Sequence, residues 1–113
     1  MYFIKEEIFI MFFVVTYIMG EVELIMKVVL ERLINLNKWG SSHSEWNRVK
    51  KSLPSHLKNT KKGIKNIDKA RKRLINERVM FFSKKTGEDH VSLNSKMKKE
   101  IFEFIEKNEI KEY

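Results

Sequence analysis

Between Val22 and Leu36 the apolar residues Val22, Ile25, Met26, Val29, Leu30, Leu33 and Leu36 recur every three or four positions, with Glu23, Lys27, Glu31 and Arg32 off the stripe. That spacing predicts an amphipathic helix, and Gly40 is the expected breaker beyond it. Ser42-His43-Ser44-Glu45 fits the capping box S-x-x-E, which predicts a second helix of about ten residues anchored by Trp46, Val49 and Leu53. Pro54 stops it, because the residue before a proline avoids the α region. The stretch from Pro54 to Lys58 reads as a turn or one loose helical turn with Leu57 inward. Thr60 caps a third helix whose apolar positions are Ile64, Ile67, Ala70, Leu74 and Ile75. Gly63 fits the start of that helix better than its interior, where it would cost up to about 1 kcal/mol relative to alanine.

Helical spacing stops after Arg78. Val79-Met80-Phe81-Phe82 is a short strand-like run, Lys84 to Asp89 has the polarity and glycine of a hairpin loop, and His90-Val91-Ser92-Leu93 alternates as a return strand. Asn94 or Ser95 caps a last helix with Met97, Ile101, Phe104 and Ile105 on one face. The fold class expected is α+β, mostly helical, with the element order of a winged helix-turn-helix: a two-stranded β-hairpin wing and a C-terminal helix. Residues 21–108 form that domain, and residues 109–113 are a tail.

Residues 1–20 stand apart. Positions 8–19, IFIMFFVVTYIM, carry no charge. As a helix they would span about 18 Å, short of a hydrocarbon core of about 30 Å. Glu6 and Glu7 stand where a signal peptide would be positive, and Met19-Gly20-Glu21 is no small-x-small cleavage site. The segment reads as an added element or dimerisation surface, as upstream sequence before a true start at Met19 or Met26, or as a membrane-associating piece.

Charge sharpens the picture. The chain has 113 residues and a formal net charge of +8, and of its 23 basic residues fourteen lie between Ser41 and Gly87, against three acids. Both flanks are slightly acidic. A basic middle between acidic ends points to one surface that faces a polyanion, most often a phosphate backbone. On the third helix Lys62, Lys65, Asn66, Lys69, Lys72, Arg73 and Asn76 fall opposite the apolar positions. Asparagine and arginine can read adenine and guanine edges bidentately, so Asn66 and Arg73 are the candidate base readers. Lys62, Lys65, Lys69 and Lys72 are candidate phosphate contacts, as are Arg48, Lys50 and Lys51 on the second helix. Lys84 and Lys85 are the candidate contacts of the hairpin wing. Ser55, His56 and Thr60 could add neutral phosphate bonds or simply cap the turn. The alternative for the lysine face is plain solvation; it is weakened because like charges repel where so few acids compensate them.

No chemistry competes with this reading. Cysteine is absent, which excludes disulfides and thiolate nucleophiles and favours a reducing, cytoplasmic setting. His43, His56 and His90 lack metal-ligand spacing, and no G-x-S-x-G, G-x-G-x-x-G or phosphate-cradling glycine loop occurs. Neither an enzyme nor a cofactor or metal is expected. Trp46 reads as core and Trp39 as a lid on the first helix. Glu100, Glu103, Glu106 and Glu109 read as an acidic, solvent-facing or partner-docking side of the last helix.

Ser41 to Asn94, through SSHSEWNRVKKSLPSHLKNTKK, DKARKRLINE and HVSLN, resembles a group of small, mostly uncharacterised archaeal winged-helix proteins. The resemblance covers about half the chain and implies a winged-helix fold and DNA binding; it supplies no target sequence. The chain departs from that group in the length around Gly63 to Asn66 and in a wing that reads SKKTGEDH. The expectation is a transcriptional regulator that occupies double-stranded DNA through its third helix, with a homodimer built on the apolar first and last helices. The alternatives are a winged helix used as a protein-interaction or assembly module, and a membrane-tethered DNA binder. RNA binding is weaker, because Phe81 and Phe82 are too few for a single-strand stacking platform.

Overall fold

The computed structural model describes residues 20–108. The apolar run at 8–19 and the tail at 109–113, with what was expected of them, lie outside the described residues. Within that span the chain is α+β, with five helices, a 3₁₀ turn and a small antiparallel sheet.

Helix α1 (Glu21–Asn35) buries Ile25, Met26, Val29, Leu30 and Leu33, the expected stripe. Each such side chain contributes about 1.5–3 kcal/mol when fully removed from water. The helix ends earlier than Gly40 suggests. Asn37 turns left-handed at φ 55°, and the amides of Asn37 and Lys38 donate to the carbonyls of Ile34 and Leu33. Asparagine tolerates that conformation better than most residues. Gly40, also left-handed at φ 61°, instead donates to Leu93 O, while Leu93 N donates to Lys38 O. The α1 exit is thereby tied to the sheet.

The expected capping box does not form. Ser44–Glu45 is a short strand, β1, paired antiparallel with Val91 and His90. Glu45 is the N-cap of helix α2 (Trp46–Lys51) and makes no side-chain cap bond. The Ser42 amide donates to Trp39 O instead, and the helix has six residues. Trp46, Val49 and Leu53 are buried as expected. After Pro54 comes a one-turn helix α3 (Ser55–Lys58), with Leu57 inward.

Helix α4 (Lys61–Asn76) is the third long helix of the sequence reading. Thr60 caps it: its hydroxyl accepts from Gly63 N at 2.9 Å. Strands β2 (Met80–Lys85) and β3 (Glu88–Leu93) form a hairpin tighter than expected, closed by Thr86 and Gly87 at φ 50° and 81°. Both positive angles suit a two-residue turn that matches strand twist. The register sets Lys84 opposite Asp89 and Lys85 opposite Glu88, so opposite charges support the pairing. Sheet order is β1-β3-β2. Asn94 caps the 3₁₀ turn Ser95–Met97 and donates to Arg78 O at 2.8 Å. Helix α5 (Lys98–Lys107) returns Ile101 and Ile105 to the core.

Candidate functional site

Helix α4 is held at successive points along one face. Gly63 lies so close to α3 that an added Cβ would sit 2.0 Å from Leu57 O. Further along the same face Ile67, Ala70 and Leu74 are buried in the core, and α4 packs against α1. What remains outward is basic. The helix carries seven Lys and Arg against one acid, Asp68. Lys61, Lys62, Lys65, Lys69 and Lys72 are exposed. Among the described residues, no carboxylate lies within ion-pair distance of Lys61, Lys62, Lys65 or Lys69. Lys72 has a partner, Asp68 Oδ2 at 2.9 Å. The hydrogen bond from Lys72, then that from Arg71, holds the Asp68 carboxyl below its ordinary pKa. Lys61 belongs to this face although the charge stripe read from the sequence began at Lys62.

Three α4 residues fall elsewhere than expected. Asn66 is only 7% exposed and faces α1, where its Nδ2 donates to Glu21 Oε2 at 2.9 Å. Arg73 leans the same way: its Nη1 is 2.8 Å from Glu23 Oε1, and Nη2 is 3.8 Å from Glu77. Asn66 is thereby withdrawn from solvent, while Arg73 stays exposed at the edge of the lysine face with its guanidinium held by Glu23. The acids responsible lie in the first turn of α1, where the helix dipole favours them. Ile64, placed with the core by its spacing, is instead 61% exposed.

A cleft of about 780 Å³ opens between α2, α3 and α4. Trp46, Ile64 and Ile67 line it, and Lys50, Lys51 and Lys65 gather at it. It thus unites phosphate candidates from two helices. Arg48 is exposed but does not line the cleft; Lys62 and Lys69 lie beyond it on α4. Arg71, which sequence reasoning missed, braces one wall. Its guanidinium sits 6.0 Å from the Trp46 ring and 5.5 Å from Phe82. It pairs with Asp68 at 3.1 Å and Asp89 at 3.8 Å, joining α4 to the hairpin. The i, i+3 pair Asp68–Arg71 beside the apolar stripe was the available signal.

At the hairpin end Lys84 and Lys85 are both exposed. The Lys85 Nζ lies 3.1 Å from His43 Nε2, and the His43 and His90 rings meet edge to face at 5.1 Å. Partial burial, then the charges of Lys85, His90 and Lys38, lower the His43 pKa. Of the turn residues, Thr60 spends its hydroxyl on the cap, and Ser55 and His56 lie exposed on α3.

Among the described residues there is no cluster of three or more His, Asp or Glu able to hold a metal ion, and no helix long and apolar enough to cross a membrane. The stripes of α1 and α5 expected to support a dimer are buried within the single chain. Comparisons with protein-family models, with curated proteins and with solved structures each find no match.

Proposed function

We propose that the chain is a winged-helix protein that binds double-stranded DNA and regulates transcription by occupancy, without chemistry. In this reading α2, α3 and α4 form the helix-turn-helix, α4 enters the major groove, and the β2–β3 hairpin is the wing. The observation that carries it is the outer face of α4: four lysines without a carboxylate partner among the described residues, continued by Lys50 and Lys51 across the cleft. Such a face repels itself, and a polyanion relieves that repulsion while releasing counterions. Lys84 and Lys85 extend the basic surface to the hairpin end. Arg71, braced between Trp46, Phe82 and Asp89, keeps that end in fixed relation to α4.

The reading is tested by mixing the full chain with a labelled mixed-sequence duplex of about 20 base pairs at 50 mM salt. Polyglutamate of matched charge serves as competitor. Duplex binding that polyglutamate fails to displace supports DNA as the partner. Binding to polyglutamate in preference to duplex moves the basic face to an acidic protein, and the module becomes one of assembly. A homodimer belongs to the same proposal. Because the α1 and α5 stripes are internal, its surface must come from elsewhere on the chain.

A further inference from the structure

Ile64 is the most exposed of the large apolar side chains that stand open in the described structure: 61%, against 48%, 40% and 44% for Phe81, Phe82 and Phe102. It is the fourth residue of α4, between Lys61 and Lys65, and it lines the cleft beside Trp46 and Ile67. An isoleucine with most of its surface in water contributes little to folding, and it can neither donate nor accept a hydrogen bond. We propose that Ile64 reads sequence by packing on the C5 methyl group of a thymine in the major groove.

This rests on the duplex-binding reading and adds the base that is recognised. Helix-turn-helix proteins present the first turns of the recognition helix to base edges, and thymine alone among the four bases offers a methyl group there. The lysines on either side supply the phosphate attraction that carries an apolar side chain into the groove. Asp68, one turn on, would oppose entry, but its carboxylate is bound by Lys72 at 2.9 Å and Arg71 at 3.1 Å. Asn66 and Arg73 are engaged by Glu21 and Glu23 on the α1 side of the helix, whereas Ile64 stands on the cleft side beside Trp46.

The test compares alternating poly(dA-dT) with alternating poly(dA-dU), two duplexes that differ only in the thymine methyl. Wild-type protein binds the dT polymer about fourfold more tightly, the value of burying one methyl group. Ile64→Ala binds both polymers equally, at the level wild type shows for poly(dA-dU), and Ile64→Val keeps part of the preference. The exposure of residue 64 lets these variants fold, which circular dichroism checks. Equal binding of both polymers by wild type overturns the methyl contact while leaving duplex binding intact. A preference that survives in Ile64→Ala also overturns it. Failure of wild type to bind either polymer removes the duplex reading, and the inference with it.

Discussion

Asn66 and Arg73 add polar ties between α4 and α1, and their partners Glu21 and Glu23 lie 45 and 50 residues earlier in the chain. A buried amide on a carboxylate is a charge-assisted bond, and removing it leaves an acceptor short of a donor. Asn66→Ala is therefore expected to lower stability by about 1–2 kcal/mol, read by urea unfolding. The affinity of the folded protein for mixed-sequence duplex should change less than twofold. A large loss of affinity at unchanged stability would return Asn66 to the groove. The sequence put Asn66 on the lysine side because it sits at the border of the stripe. A polar residue at a border looks the same whether it faces solvent or a partner on a distant helix. Ile64 failed in the opposite sense: its spacing matched the core, but it lines the open cleft beside Trp46 and stays 61% exposed.

The elements themselves were more legible, because apolar periodicity and caps are local. α1, α4 and α5 stand where the stripes and the Thr60 and Asn94 caps predict them, and the hairpin is there too, with strands that run on through Lys84–Lys85 and Glu88–Asp89, which read as loop. β1 was not visible. Its two residues, Ser44 and Glu45, form a strand only because β3 lies beside them, and the S-x-x-E pattern offered a local alternative. Gly63 also gained its meaning from a neighbour. The sequence marked it as a cost inside a helix, whereas the structure makes it the point at which α3 and α4 touch. Alanine would add helix propensity worth about 1 kcal/mol but would drive a methyl group onto the Leu57 carbonyl, where backbone must move. Overpacking of this kind costs about 1–3 kcal/mol. Gly63→Ala is expected to lose up to about 2 kcal/mol net, measured by thermal unfolding. A stabilised variant would show that the α3–α4 contact is slack.

At the scale of the whole molecule the charge is segregated. The core side of α4 is neutral, the α1 side is tied by Glu21 and Glu23, and the outer side is left to the lysines. The basic middle between acidic flanks was legible from counting alone. Which of those charges are free was not, because ion pairs with α1 depend on packing. The central claim is that the outer lysines of α4 face phosphate, and it is tested most directly by fluorescence anisotropy of a labelled duplex between 50 and 200 mM salt. Wild type is compared with Lys65→Ala/Lys69→Ala and with Arg73→Ala. Each phosphate contact adds about 0.9 to the slope of log affinity against log salt. The lysine pair should therefore flatten the slope by about 1.8, while Arg73→Ala leaves it unchanged. Equal slopes for wild type and the lysine pair would contradict the account, because α4 would then face no phosphate.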